Sequence, residues 1–267
     1  FVSLRISIFY RSIMKPAVTV ITPVFNGEAF IKETIDSVIN QSLADFEYII
    51  IDDCSNDATP EIIKKYAKQD SRITVVRNNI NSGPLVSRNN AIDRSKADYV
   101  AFIDADDIWA PNKLERQITY MKKSSCAFSY TDFAIFTGSK ISSVRSVKCM
   151  DRFYLSTLFS DLGIALSSVV YKRDHNNLIR FANGGPITEA DLYLKLIALY
   201  GCGHRVPEEL LKFRNHDSNM SDNKLKVFRV IFHFFNINLK FNRAVSFMIT
   251  FRIGFVSISR QIKKYFN

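Results

Sequence analysis

The stretch Tyr99-Val-Ala-Phe-Ile-Asp-Ala-Asp-Asp-Ile-Trp109 decides the fold. An apolar, aromatic-rich run with the composition of a buried strand ends abruptly in Asp104, Asp106 and Asp107, with only Ala105 between the first two. Carboxylates crowded at a strand's end repel one another unless a cation sits among them. Hard oxygen donors of this kind suit Mg²⁺ or Mn²⁺, ions that commonly join protein carboxylates to phosphate oxygens. The plainer alternative is an acidic turn and helix cap ahead of Pro111.

Upstream, the same pattern recurs. Ala17–Thr22 alternates as a strand and stops at Pro23, after which Asn26-Gly27 is placed to cap a helix carrying Ile31, Ile35, Val38 and Ile39 on one face. Phe46–Ile51 is a second strand, ending in Asp52-Asp53. Asp57 as N-cap and Pro60 in the first turn then open a helix to about Gln69. Ile73–Val76 is a third strand, and Gly83-Pro84 turns into a helix through Asp93. Strands separated by helices of about 10–15 residues imply βαβ units and a mostly parallel, twisted sheet, which is the α/β class. Ligands of such sheets bind beyond the carboxyl ends of the strands. Pro23–Phe25, Asp52-Asp53 and Asp104–Asp107 all fall on that edge, so three strands deliver residues to one rim.

Downstream the periodicity is weaker. Cys126–Tyr130, Phe133–Phe136 and Ile141–Val147 read as strands, Phe153–Ser160 and Glu189–Tyr200 as helices, and the Phe-rich chain after Asn223 as two helices. The 267 residues suffice for one large domain or two small ones. Four singly scattered cysteines, Cys54, Cys126, Cys149 and Cys202, form neither a disulfide frame nor a zinc pattern and indicate a reducing compartment.

The net charge of +10 is segregated. After Asp222 there are nine Lys or Arg and no acid; residues 16–222 hold 24 basic against 26 acidic residues. A nucleic-acid reader carries its charge on the folded face that reads, so nucleic acid is not an expected partner. No apolar run reaches the roughly 18–20 residues of a membrane-spanning helix, since Ala244–Ile258 is broken by Arg252. Phe1–Met14 lacks the cleavage pattern of a secretory signal, and Met14-Lys15-Pro16 resembles a natural start, leaving 1–15 as an extension.

No G-x-G-x-x-G follows the first strand and no G-x-x-x-x-G-K-[ST] occurs, so any nucleotide is held by other means. Four segments carry a resemblance: Val20-Ile-Thr-Pro-Val-Phe-Asn26, Ile51-Asp-Asp-Cys-Ser-Asn-Asp57, Gly83-Pro-Leu-Val-Ser-Arg-Asn89 and Phe102-Ile-Asp-Ala-Asp-Asp-Ile-Trp109. In this order and spacing, over roughly residues 17–120, the chain resembles the family 2 glycosyltransferases. A fainter match runs through Thr188–Leu196 and Phe213–Ser221. The resemblance implies a GT-A fold, a Rossmann-like mostly parallel sheet flanked by helices with a C-terminal helical extension. It divides the chain into an extension (1–15), a catalytic domain (16–222, with a nucleotide-binding half at 16–120 and an acceptor half at 121–222) and a basic aromatic tail (223–267).

It also implies sugar transfer from a nucleotide-diphosphate donor to a saccharide hydroxyl in bacterial polysaccharide or lipopolysaccharide synthesis, with Mn²⁺ or Mg²⁺ as cofactor. UDP is favoured as the nucleotide. Asp53 would accept the uracil N3–H, because a carboxylate only accepts. Phe25 would stack on the base or anchor the core, and Pro23 would offer its carbonyl. Glu28 is a donor-site carboxylate or an ordinary first-turn acid favoured by the helix dipole. Arg88 would fork onto the diphosphate. Asp106 would hold the metal with Asp104 beside it on ribose or a bound water, and His216, in an R-x-H pattern, would add a metal or phosphate contact. Relatives carry Glu-Asp where this chain has Thr188-Glu189, which puts Glu189 in the place of the catalytic base; Asp191 is the second candidate. One base without a covalent partner implies inversion at the anomeric carbon.

Three other classes compete with this reading. A processive synthase would carry Q-x-x-R-W, but the sole tryptophan is Trp109. A nucleotidyltransferase would need a basic Gly-rich loop where Pro23–Gly27 has no cation, and a non-catalytic sugar-nucleotide-binding module would be marked by a lost base. The nine cations and ten aromatics of residues 224–267 read as a surface for an anionic membrane. That fits a lipid-linked acceptor and a cytoplasmic enzyme peripheral on the inner face of the cell membrane.

Overall fold

The computed structural model describes residues 15–138, 145–158, 163–182 and 189–215, and in the tail residues 242–251 with the isolated positions 229, 232, 236 and 240. The expected first three strand–helix pairs are present: β1 (Val18–Val24), α1 (Ile31–Ile39), β2 (Phe46–Asp52), α2 (Thr59–Gln69), β3 (Ile73–Arg77) and α3 (Pro84–Arg94). β4 (Tyr99–Phe102), β5 (Ile108–Trp109) and α4 (Lys113–Lys123) follow, then β6 (Phe128–Thr137), β7 (Arg145–Val147), β8 (Arg152–Phe153), α5 (Leu155–Leu158), β9 (Val170–Lys172), α6 (Glu189–Tyr200) and β10 (Gly203–Asn215).

The ten strands among the described residues form one sheet. Its main path is β3-β2-β1-β4-β9-β6-β10-β5, with β7 on β6 and β8 on β10. β1, β2, β3 and β4 pair in parallel, as do β6 and β10, whereas β9 enters antiparallel to both β4 and β6. The parallel order thus holds for the first half, and β9 joins it to a mixed second half. β1 is buried along its whole length, as a strand covered by helices on both faces must be. Its polar positions are satisfied from neighbouring strands: Thr22 Oγ1 donates to the Ile103 carbonyl at 2.9 Å and lies 2.9 Å from the Tyr48 hydroxyl.

Several local expectations change in the structure. Asn26-Gly27 does not cap α1. Asn26 takes a left-handed φ of 49°, and the Gly27 carbonyl accepts from Phe30 and Ile31. Glycine is required there, since a Cβ would meet the Val24 side chain at 2.6 Å. The strands expected on either side of Thr131-Asp132 are one, because Arg205 grips both Asp132 oxygens and removes the cost of a carboxylate inside a strand. Phe153 belongs to β8, so the helix expected from it begins at Leu155. Strands not expected include the short β9 and the long β10. Pro207 and Glu208-Glu209 disguise β10, and the strand accommodates them with register shifts between Val206 and Leu211. Residues 243–251 are helical, as expected for part of the tail; His216 and Thr188 lie outside the described residues.

Candidate active site

The rim expected from the sequence is built by the ends of β1, β2 and β4. Around β2 the chain makes a tight turn with Cys54 at a left-handed φ of 67°. The turn is held by Asp52, which accepts from the Ser55 amide at 2.9 Å and pairs with Arg77 at 3.1 Å. This fixes Asp53, whose amide donates to Val24 at 2.8 Å. The Asp53 side chain is buried and accepts three hydrogen bonds from the loop between β3 and α3. Asn78 Nδ2 and the Ser82 amide donate to Oδ1 at 2.7 and 3.0 Å, and the Gly83 amide donates to Oδ2 at 2.7 Å. Of about four lone-pair sites on a carboxylate, three are used, which leaves one on Oδ2 for an imide donor. Gly83, at φ 86°, starts α3 with Pro84 next, a geometry that no β-carbon residue adopts cheaply.

Phe25 projects from the end of β1 and is 48% exposed, which fits a stacking platform and not a core anchor. Pro23 is one step inside, buried and in register with Ile51. Glu28 is drawn into a different task. Its Oε2 accepts from the Ala58 amide at 2.9 Å, its own amide donates to Asp57 at 3.1 Å, and Asn26 and Gly27 reach Ser55 and Thr59 in the same way. The two loops are clasped to each other, and Glu28 meets the start of α2, the next helix along, and not the first turn of its own.

At the end of β4, Asp104 and Asp106 are partly exposed while Asp107 is wholly buried. Asp107 accepts from the Arg214 amide at 3.0 Å, and its carbonyl accepts from Thr34 Oγ1 at 2.8 Å. Burial, reinforced by the charges of Asp106 and Asp104, pushes its carboxyl well above the usual carboxylate range. Both effects favour the neutral form of this carboxyl over the charged one. The Asp104 amide donates to Ser167 Oγ at 3.0 Å, so the segment before β9 braces the loop from the other side.

Arg88 of α3 is 3% exposed and donates from Nη2 to Asp104, while Nη1 lies 3.6 Å from Glu189 Oε1 at the start of α6. Its Nε and Nη1 are buried without a hydrogen-bond acceptor, and its guanidinium lies over the Phe181 ring at 5.7 Å. Burial opposes its charge, but Asp104 and Glu189 outweigh that and raise its pKa. One buried guanidinium thus joins the acidic loop to the candidate base.

The two base candidates separate clearly. The Glu189 side chain is 40% exposed; that of Asp191 is 11% exposed. Asp191 Oδ2 accepts from the Ala182 amide at 2.8 Å and from Lys195 Nζ at 2.7 Å. Asn89 holds the neighbouring Phe181 through both its amide and its carbonyl. Asp191 is thereby tied to the segment that follows Phe181, and Glu189 is the more exposed carboxylate of the two.

Among the described residues no three His, Cys, Asp or Glu side chains form a metal cage. Asp104 and Asp106 nonetheless fit Mg²⁺ or Mn²⁺, because Mg²⁺ is usually held by one or two carboxylates and completes its shell with phosphates and water. Sequence reasoning missed Arg214, which is wholly buried beneath the loop and donates from Nε to the Asp106 carbonyl at 2.9 Å. The only sequence signal for it was the R-x-H pattern, read there for its histidine.

The model for glycosyl transferase family 2 matches residues 19–163. The chain is 34% identical over 212 residues to the putative teichuronic acid biosynthesis glycosyltransferase TuaG of Bacillus subtilis, covering 79% of this chain and 84% of that protein. It is 32% identical over 216 residues to the UDP-Glc:alpha-D-GlcNAc-diphosphoundecaprenol beta-1,3-glucosyltransferase WfgD of Escherichia coli, covering 78% and 81%. Two solved structures share the fold. Residues 1–349 of S. aureus TarS in complex with UDP-GlcNAc give a TM-score of 0.63 at 18% identity, over 91% of this chain and 73% of that one. The mannosyltransferase PcManGT of Pyrobaculum calidifontis, in complex with GDP-Man and Mn²⁺, gives 0.66 at 16% identity, over 91% and 70%.

Proposed function

This chain belongs to glycosyl transferase family 2 and has the GT-A fold, and we propose that it moves a sugar from UDP to a hydroxyl of a lipid-linked saccharide, with inversion, in bacterial surface-polysaccharide synthesis. The observation that carries this reading is the join made by Arg88, which sets Asp104 of the donor rim and the open Glu189 on either side of one guanidinium.

The chemistry follows from the residues. The remaining Oδ2 lone pair of Asp53 receives the imide N–H of uracil, and Phe25 covers the ring. Asp104 and Asp106 would hold the cation. When bound, Mg²⁺ or Mn²⁺ neutralises charge on the departing nucleoside diphosphate. Arg88, with Nε and Nη1 unsatisfied, has donors to spare for the donor's phosphates. Glu189 takes the proton of the acceptor hydroxyl as that oxygen attacks the anomeric carbon opposite the leaving group; its extra methylene relative to Asp keeps a carboxylate within reach. With no second carboxylate used as nucleophile, the displacement is single. Support for UDP and a lipid-linked acceptor comes from the WfgD relative, named for both.

The composition of the tail supports attachment to a membrane surface. No helix among the described residues is long and apolar enough to cross one. Within residues 243–251, however, Phe247, Met248 and Phe251 face outward while Ser246 and Thr250 are buried. Large apolar groups on the open side of a cationic segment suit the surface of an anionic bilayer, and the reading locates the protein on the inner face of the cell membrane.

A thermal-shift panel of UDP, GDP and dTDP, each with and without Mn²⁺, tests the donor site, because stabilisation follows occupancy of the folded state. UDP with Mn²⁺ is expected to raise Tm most. Equal shifts with and without Mn²⁺ would remove the metal from the reading, and a larger shift with GDP would reassign the base.

A further inference from the structure

Arg214 has an arrangement that the sugar-transfer chemistry does not by itself explain. Arginine is almost never fully buried unless paired, yet this one, near the end of β10, is wholly enclosed. Its guanidinium is sandwiched between Phe30 at 4.5 Å and Phe136 at 4.6 Å. Each nitrogen has a separate acceptor on a different element. Nε donates to the Asp106 carbonyl at 2.9 Å, Nη1 to the Gly138 carbonyl at 2.8 Å, and Nη2 to Glu33 Oε2 on α1 at 2.6 Å. Its backbone amide adds the 3.0 Å bond to Asp107 Oδ1. One residue therefore grips two consecutive positions of the acidic loop, by side chain and by main chain, and anchors them to α1 and to the end of β6.

The geometry points to Arg214 as the positioning residue that sets the cation affinity of the acidic loop. The inference rests on the metal-dependent reading given above. Asp104 and Asp106 stand at the end of a four-residue strand, followed by a two-residue strand, so little regular structure fixes them. Arg214 supplies that rigidity at the Asp106 carbonyl, one residue's backbone away from the carboxylate. Its positive charge is met by Glu33 Oε2 at 2.6 Å, so what the side chain gives the loop is position. A partner behind a ligand that orients it commonly governs metal affinity as strongly as some ligands do. Lysine would keep the charge but lose the fork, so charge and geometry separate by substitution.

The test compares the full chain with its Arg214→Lys and Glu33→Gln variants. Mn²⁺ binding in the presence of UDP is read from the electron paramagnetic resonance signal of free Mn²⁺, and UDP binding without metal from calorimetry. For Arg214→Lys we expect metal-free UDP affinity close to that of the parent, Mn²⁺ affinity weaker by about 10-fold or more, and turnover that recovers as Mn²⁺ is raised. Glu33→Gln, which leaves the arginine in place and weakens one anchor, should give a smaller loss in the same direction. Folded variants with parental Mn²⁺ affinity would overturn the assignment, and Glu33→Gln decides alone if Arg214→Lys does not fold. If the parent with UDP takes up no Mn²⁺, the metal reading itself fails, and the role of Arg214 with it.

Discussion

At the scale of single residues, the acidic positions divide into those that hold the protein together and those left open for substrate. Glu189 and Asp191 are two positions apart on α6, yet one is open and the other spends its lone pairs on Ala182 and Lys195. Glu189→Gln should lower kcat by about 10²–10⁴-fold, the usual worth of a positioned base, while UDP binding stays unchanged. Asp191→Asn should act through stability: losing a charged acceptor from a buried amide costs about 1–3 kcal/mol, seen as a lower Tm with kcat much less affected. The reverse pattern in the two variants would make Asp191 the base. A complementary check is the product's anomeric configuration by NMR; a retained configuration would remove the single displacement. Asp53 is the third case, since it both organises the 78–83 loop and keeps one lone pair free. Asp53→Ala should therefore weaken UDP binding by more than one hydrogen bond's worth, because Asn78, Ser82 and Gly83 lose their common acceptor; calorimetry with UDP measures it.

At the scale of elements, legibility in the sequence followed the charge pattern. β1 to β4 were readable because each is an apolar run ending at a polar edge, and α6 because its period is intact from Glu189 to Tyr200. β10 was not, because its interior carries Pro207, Glu208 and Glu209, and because Arg205 and Arg214, both paired by acceptors distant in sequence, read as surface residues. Site residues at the ends of the readable strands were found for the same reason, and Arg214 was missed for the opposite one. Glu28 shows a subtler limit. Its identity was evident, but the clasp between the loops after β1 and β2 is a tertiary contact that no local pattern encodes. That clasp yields a pH prediction. Burial alone would raise the Asp57 carboxyl, but hydrogen bonds from Thr59 and the Glu28 amide outweigh it, and the pKa is lowered on folding. A depressed carboxyl stabilises the fold above its unfolded pKa and loses that contribution as pH falls through the folded value. Asp57→Asn should thus lower Tm at pH 7, with the gap to the parent closing below about pH 4. A gap independent of pH would show that the charge of Asp57 is immaterial.

At the scale of the whole molecule, charge and chemistry are kept apart. Residues 16–222 are together nearly neutral, and the nine cations after Asp222 have no acid among them. A cationic surface for a soluble acceptor would gain most if spread around the acidic rim, whereas here the cations share a segment with ten aromatics. The described tail helix is inverted for a soluble protein, with Ser246 and Thr250 inward and Phe247, Met248 and Phe251 outward. Such a surface gains two independent contributions from a bilayer. Each basic residue near an anionic leaflet adds about 1 kcal/mol and is screened by salt, while buried aromatic area is insensitive to salt. The two separate in a vesicle flotation assay. The parent should float with phosphatidylserine vesicles, less with neutral ones, and less as salt is raised. Phe247→Ser combined with Phe251→Ser should remove the salt-resistant fraction and leave catalysis on a soluble acceptor analogue unchanged, since both side chains are exposed and neither has a part in the proposed sugar transfer. Equal flotation of parent and double variant at high salt would show that the outward aromatic face does not meet lipid. Binding that ignored lipid charge would likewise take the cations out of the membrane reading.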